Sequence, residues 1–533
     1  MSIVETSKPK YRAAEADATL ARISARYDQT PYISRAYDGS HPARIAAVAR
    51  IFGLDAPDLE NARVLEIGCA SGGNLIPLAA QYPNAKFFGV DLSTAHVEHA
   101  KARIERLGLK NVEIVQGDVA TWIPPGGAFQ FMICHGVYSW APAHVRAAIL
   151  RRLSQRLSED GVAYVSYNVL PGWRHKQVLR DTLMWRLENV DDVGAQVRYA
   201  RAFLELMRGW KGPDSAYHRD LADSVAMASN ISDDYLAHEF LEDFNEPQTF
   251  TQFMSECGKA GLAFLGECDM AMQMSENFAP ETRDLLRTLS QNQLLPMEQT
   301  IDVLTGRTFR RTLLVRSARE AQIRRTIEPE RLVGLHFLGP ISHMVPPAEG
   351  FGHSFVSPEG RVISTNHLDV LRALEKLRAN GAAGISYADF LDAAGSQGSP
   401  ARDVAADALF KATIAGVLEA RAGATGAASS VGEKPRAPEW IRSDAVAREP
   451  GIASLRHRPL ALDPAMQVVL PLLDGKRGFD ALAEALERAV NAGDLRFRRA
   501  EGDVTDEDGI RACARDHAAA ALQRLCEGAA LAA

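Results

Sequence analysis

Val64-Leu65-Glu66-Ile67-Gly68-Cys69-Ala70-Ser71-Gly72-Gly73-Asn74 runs directly into Leu75, Ile76, Leu78, Ala79 and Ala80. Apolar residues leading to an acid, then very small residues, then an apolar helical pattern predict a buried strand, a tight turn and a helix start. Small residues at such a turn let a ligand approach the backbone closely. Nicotinamide-binding turns place G-x-G-x-x-G there and carry their acid about twenty residues later. Here the acid, Glu66, precedes the first glycine by two residues. A carboxylate beside a helix N-terminus would repel a pyrophosphate and welcomes a cation.

Strand and helix patterns alternate beyond this turn. Ala85 to Asp91 and Val112 to Asp118 are apolar runs that each end in an acid, and Ser93 is placed to cap a helix from Thr94 to Leu107. Phe129 to His135 predicts a fourth strand, Ala143 to Leu157 a helix, and Val162 to Asn168 a fifth strand. Strands spaced by helices imply a parallel sheet with right-handed crossovers. Lys176 to Met207 and Ser215 to Ala228 look helical and read as an insertion, 174–248. Alternation then returns, with helices Thr249 to Ala260 and Pro280 to Asn292 and strands Leu262 to Cys268 and Arg310 to Arg316. The expected fold class is therefore α/β, a Rossmann-like seven-stranded sheet with a helical insertion, spanning residues 25–318.

The remainder predicts mixed α+β and mainly helical C-terminal domains. In 319–421, helices and a hairpin candidate at Phe355 to Ile363, turning at Pro358-Glu359-Gly360, suggest a winged-helix-like module. Residues 422–438, rich in Ala, Gly, Ser and Pro, read as a linker. Residues 439–533 read as mainly helical after a short strand-like stretch, Ser454 to Ala461.

The chain has 533 residues, 46% hydrophobic and 24% charged, with a net charge of −7. That balance argues against broad, sequence-independent nucleic-acid binding. The six cysteines form no C-x-x-C pair, so neither a zinc ribbon nor a disulfide framework is indicated. Met1 to Lys10 is polar and lacks the apolar core of a signal peptide, and no run of eighteen apolar residues predicts a membrane span. The expectation is a cytoplasmic protein without membrane contact; the sequence leaves oligomeric state open.

Three successive strand ends thus carry Glu66, Asp91 and Asp118, and in such folds the ligand crevice lies at those ends. With its glycine-rich turn, this set resembles motif I and its partners in the class I methyltransferases that use S-adenosylmethionine (AdoMet). The resemblance implies that Asp91 accepts from the ribose hydroxyls, Asp118 from the adenine amine, and that Glu66 favours the cationic methionine end. Cofactor contacts are expected from Glu66, Gly68, Cys69, Ala70, Gly72, Asn74, Asp91, Leu92, Asp118, Val119, His135 and Gly136. Ala70 departs from the family, which usually has Gly; a positive φ there would cost about 1 kcal/mol relative to Gly.

The fourth strand ends in Cys134-His135-Gly136-Val137-Tyr138-Ser139-Trp140. The Asn/Asp-Pro-Pro-aromatic sequence of base-amine methylases is absent, and no carboxylate set for magnesium stands here. The fifth strand leads into Ser166-Tyr167-Asn168-Val169-Leu170-Pro171-Gly172-Trp173-Arg174. Tyr32, Tyr138, Trp140 and Trp173 are expected to line an acceptor channel, with Tyr138, His135 and Asn168 as candidate catalytic groups. Packing of the insertion onto the sheet is an equally good reading of the two tryptophans. His238-Glu239 lacks the second histidine of a zinc-protease motif, so no metal site is expected and structural hydrogen bonds are.

HGVYSW, SYNVLPGWR, YLAHEFLEDFNEPQTF and the N-terminal Tyr32-Ile33-Ser34 with His41-Pro42-Ala43-Arg44 together resemble a narrower group: bacterial methyltransferases carrying the methyltransferase regulatory domain. Rickettsial protein-lysine methyltransferases belong to it. The resemblance covers residues 25 to 320 and continues more thinly through LRHRPLALDP near 455–464 and PLLDGKRG near 471. It implies AdoMet as cofactor and N-methylation of lysine side chains on a protein partner. A small-molecule methyltransferase with the insertion as a lid, and an AdoMet-binding regulatory protein without turnover, are the alternatives.

Overall fold

The computed structural model describes Asp28 and residues 32–533 except Glu501. The polar stretch Met1 to Lys10 and the expected domain start at 25 lie outside the described residues. The central sheet is built from β1 Arg63–Ile67, β2 Lys86–Asp91, β3 Val112–Gln116, β4 Phe129–Cys134, β5 Leu157–Leu170, β6 Gln248–Thr249, β7 Leu262–Glu267 and β8 Phe309–Arg316. Seven strands run in the order β3-β2-β1-β4-β5-β8-β7, and the two-residue β6 pairs with β5. β1 to β5 are mutually parallel, and β8 runs antiparallel to both β5 and β7. β1 lies between β2 and β4, so the connections leave it in opposite directions and open a crevice at its carboxyl end.

The two faces of each buried strand go to different cores, as the two-residue period of a strand requires. In β4, Phe131 and Ile133 join the core packed by the helices Pro42–Ile51, Leu75–Gln81 and Thr94–Arg106. Phe129, Met132 and Cys134 join the opposite core, with Val145, Ile149, Phe250 and Phe253 from the helices Ala143–Arg156 and Phe250–Lys259. β5 splits in the same way, Val162 and Tyr164 against Ala163, Val165 and Tyr167. Ser93 caps its helix through a bond from the His96 N–H, 3.2 Å, and Thr249 with Gln252 forms a full capping box.

The insertion carries its own core, centred on Leu179, Leu183, Leu204, Leu236 and Phe240. The helix expected over 176–207 is two helices, Arg174–Arg186 and Val193–Gly209; the Asp192 side chain accepts from the Ala195 N–H and starts the second. The hairpin in 319–421 forms from β9 His353–Val356 and β10 Val362–Thr365, closing across Val356 and Val362. Phe337, Leu374, Phe390 and Leu409 of this segment share the core of the helix Pro42–Ile51.

Two expectations are corrected. Residues 422–438 are not a free tether: the Ala422 N–H donates to the Ala43 carbonyl at 2.8 Å, and Ala427 and Arg436 bridge to Ala532 and Asp474. Their alanines are small enough to pack, and Ala427 and Ala437 are buried. The strand-like stretch Ser454 to Ala461 is a tight loop with a single bridge, Ala453 to Pro459. The final core, including Ile441, Leu482, Leu522 and Leu525, is built mainly by helices.

Candidate active site

The turn after β1 takes left-handed backbone at Gly68 (φ 71°), Ala70 (φ 46°) and Gly72 (φ 74°). Its small residues serve the protein's own packing as well as any ligand, which widens the sequence reading. A Cβ on Gly68 would stand 2.2 Å from Val137, one on Gly72 2.7 Å from Ile76, and one on Gly73 2.3 Å from the Ser34 carbonyl. The segment from Tyr32 to Tyr37 therefore lies across the turn, and the Gly73 N–H donates to Ser34 Oγ at 2.8 Å.

Asp91 at the end of β2 accepts from the Ala70 N–H at 2.7 Å and the Ser93 N–H at 3.0 Å. These bonds tie the first turn to the second strand and hold the carboxylate at the crevice. Asp118 accepts from the Ala120 N–H at 2.8 Å. Glu66, 3% exposed, accepts from Asn74 Nδ2 through Oε1 at 2.9 Å. Its other oxygen, Oε2, is buried with no hydrogen-bond partner among the described residues. Burial pushes the Glu66 carboxyl up to about 8, Asn74 pulling the other way and Asp91 adding to the rise.

These groups share one cavity of about 700 Å³. It brings together Tyr32, Glu66, Gly68, Cys69, Ala70, Asn74, Asp91, Leu92, Asp118, Val119, His135, Gly136, Trp140, Asn168 and Trp173. Gly72 and Tyr138 lie behind its wall. Tyr138 is 1% exposed, donates to Glu256 Oε2 at 2.6 Å and packs edge-on to Phe253. The orienting role expected for it is corrected: the short helix Tyr138–Trp140 turns Trp140 toward the cavity and Tyr138 into the core.

His135 lines the cavity with Nδ1 at 2.9 Å from Tyr164 Oη and 3.2 Å from Ser166 Oγ. Burial, with the Arg311 charge, lowers it to about 3. It is neutral at physiological pH and too weak to hold an amine's proton, so its reading as a general base is withdrawn. Asn168 donates from Nδ2 to Asn245 Oδ1 at 3.1 Å. Trp140 and Trp173 meet edge-on at 6.3 Å, and Lys176 sits over the Trp173 ring at 4.5 Å while pairing with Glu239 at 2.8 Å. His238 bonds Glu242 at 2.8 Å and meets the Tyr32 ring edge-on.

The cavity also contains groups that sequence reasoning missed. Tyr37 packs its ring 3.9 Å from that of His135 and shares a hydroxyl contact of 2.7 Å with Tyr32. It lies inside the N-terminal segment that carried the family resemblance, which was the only signal for it. Tyr235, Phe309 and Arg311 complete the mouth. His457, far along the chain, reaches Asn74 Oδ1 at 2.7 Å; it lies in the LRHRPLALDP run that carried the thinner part of the resemblance, which gave no hint of this contact.

A buried carboxylate oxygen without a partner, aimed at a cavity walled by small residues and two further strand-end acids, fits a ligand that carries positive charge and donors. Three family models match along the chain: a methyltransferase domain over 64–161, the predicted methyltransferase regulatory domain over 232–316, and the PKMT C-terminal winged helix domain over 433–530. The chain is 31% identical to RP028 of Rickettsia prowazekii over 240 residues, 96% of that protein. It belongs to the class I AdoMet-dependent methyltransferases that carry this regulatory domain. RP789 of the same organism is 36% identical over 289 residues, 54% of this chain, and the match spans about half (52%) of that relative. The structure of PKMT2 from Rickettsia typhi in complex with AdoHcy superposes with a TM-score of 0.83 and 26% identity, over 94% of this methyltransferase and 100% of that chain. The winged-helix match falls on the segment that reads as mainly helical, after the hairpin module. Among the described residues, no helix is long and apolar enough to cross a membrane.

Proposed function

We propose that this methyltransferase transfers a methyl group from AdoMet to the side-chain amine of lysine in a protein. The observation that carries the cofactor half is the half-satisfied Glu66 carboxylate inside the cavity. Glu66 takes the cationic methionine end, Asp91 the ribose hydroxyls and Asp118 the adenine amine. Gly68, Cys69, Ala70, Leu92, Val119 and Gly136 supply the close backbone and apolar walls. Bound AdoMet supplies an electrophilic methyl on a sulfonium whose leaving group is neutral, so the chain's main task is alignment.

The acceptor half rests on the mouth. A lysine amine with a reference pKa near 10.4 costs roughly 4 to 5 kcal/mol to deprotonate at pH 7. Neither His135, held near 3, nor the Tyr37 phenol, kept protonated by burial, takes the amine's proton. Trp140, Tyr32 and Tyr235 instead offer aromatic faces that bind an ammonium and, by excluding water, favour its neutral form, with Trp173, which already carries Lys176 on its ring, behind them. Asn168 and the Tyr37 hydroxyl are the groups that orient the neutral amine. The similarity to PKMT2 and the winged-helix match support a protein as acceptor.

The test is incubation with methyl-labelled AdoMet and cell lysate, followed by separation of proteins from metabolites and mass spectrometry of the labelled fraction. Methyl-lysine in protein is the expected result. Label confined to small molecules favours the rival enzyme, and AdoMet binding without transfer favours a regulatory protein.

A further inference from the structure

Asn74 stands between the cofactor acid and the C-terminal module, and its amide can face only one way. The Tyr37 N–H is a donor and nothing else, so the Asn74 atom it meets at 3.0 Å is the amide oxygen. Ser40 Oγ reaches the same oxygen at 3.1 Å. His457 Nε2 lies 2.7 Å from it and must therefore carry the ring proton. The oxygen being held by these donors, Nδ2 is turned onto Glu66 Oε1 at 2.9 Å. That leaves Oε2 as the oxygen that meets a ligand cation.

His457 is itself held with care. It is 1% exposed and takes left-handed backbone at φ 63°, an uncommon conformation for a residue with a side chain. Its N–H donates to the Ser454 carbonyl at 2.8 Å, and the Ser454 N–H donates to the Arg458 carbonyl at 2.8 Å. Arg458 Nε bonds Asp38 at 2.7 Å, beside the segment that crosses the glycine turn. Arg103 with Asp444 at 2.6 Å anchors the same module to the sheet's outer helix.

We propose that His457 is a positioning residue of the cofactor site: through Asn74 it sets the orientation of Glu66, so the C-terminal module completes the AdoMet pocket by docking. This inference rests on the cofactor reading above. Cofactor binding and seating of the module are then thermodynamically linked.

The test uses the full chain. Calorimetry with AdoHcy and initial rates with varied AdoMet are compared for wild type, His457→Ala, His457→Gln and Leu522→Ala, the last a core truncation in the same module. Loss of one hydrogen bond predicts a three- to tenfold weaker AdoHcy affinity and an equal rise in the KM for AdoMet in His457→Ala, with kcat changed less than twofold. His457→Gln, which keeps a side-chain donor, restores most of the affinity. Leu522→Ala lowers the melting temperature and leaves affinity unchanged. If His457→Ala does not fold, His457→Asn replaces it, since Asn tolerates the left-handed backbone while its shorter amide falls short of Asn74. Wild-type affinity in His457→Ala, or equal weakening in Leu522→Ala, overturns the inference alone. A wild-type chain that binds no AdoHcy overturns the cofactor reading and this inference with it.

Discussion

Two buried carboxylates on one sheet are treated in opposite ways. Glu267, at the end of β7, accepts from Arg310 Nη1 at 2.8 Å, Thr312 Oγ1 at 2.7 Å and the Arg311 N–H at 3.0 Å. Arg310 also holds Glu298 and Asp302, and its guanidinium stacks on Phe250 at 4.0 Å. Glu66, equally buried, has among the described residues one partner and one bare oxygen. A buried charge with all its partners is architecture; a half-satisfied carboxyl holds its proton until a cation arrives. The regulatory segment spends its acids on rigidity, and the crevice keeps one in reserve.

Removing the cation from the satisfied cluster is expected to have the largest effect. Arg310→Met leaves Glu267, Glu298 and Asp302 buried without their shared guanidinium, at a cost of about 3 to 5 kcal/mol in stability. Thermal and urea unfolding measure it, and an unchanged melting temperature would break the contrast with Glu66.

Glu66→Gln should do the reverse. Affinity for AdoMet or AdoHcy should fall by about tenfold or more, since a hydrogen bond to a charged group is worth about 1.5 to 3 kcal/mol. Stability should not fall. The sign follows from the raised folded value: a carboxyl near 4.5 when unfolded and about 8 when folded binds its proton more tightly in the fold. Its contribution to stability is full below 4.5 and is lost as pH rises toward 8, and Gln abolishes that dependence. Binding of a cationic ligand at pH 7 must also ionise Glu66, so calorimetry in buffers of different ionisation enthalpy should show release of close to one proton in wild type and not in the variant.

The contrast between visible and hidden parts of the site follows the range of the interactions. β1, β4 and β5 were legible because strands buried on both faces read as apolar runs, β2 and the part-exposed β3 because each runs toward an acid, and the three acids because each stands at or just past the end of such a run. The Ser93 cap was legible because caps are local. His457 and Tyr37 were not, since their partners Asn74 and His135 lie 383 residues and about a hundred residues away in the chain. The direction of Tyr138 was hidden for another reason. In the short helix Tyr138–Trp140, a shift of one position decides which ring meets the cavity, and only packing against Phe253 and Tyr167 settles it.

Tyr138→Phe sharpens that point with a smaller effect. It removes the bond to Glu256 and should cost about 1 to 2 kcal/mol in stability, while kcat and AdoMet affinity stay within about twofold of wild type. A selective fall in kcat would return the hydroxyl to the reaction.

Ala70→Gly has the smallest expected effect and separates backbone strain from ligand contact within the turn. Ala70 is held at φ 46° by the Asp91 carboxylate bond to its N–H, and both survive substitution because they involve only the backbone of residue 70. Glycine relieves the left-handed strain, about 1 kcal/mol, but returns part of the gain as entropy of the unfolded chain, about 0.4 to 1 kcal/mol. The net change in unfolding free energy should therefore lie within about 0.5 kcal/mol of zero. AdoHcy affinity should be unchanged if Ala70 meets the ligand through its backbone, and should drop if its methyl group forms part of the pocket wall, so calorimetry on this one variant distinguishes a tolerated alanine from a selected one.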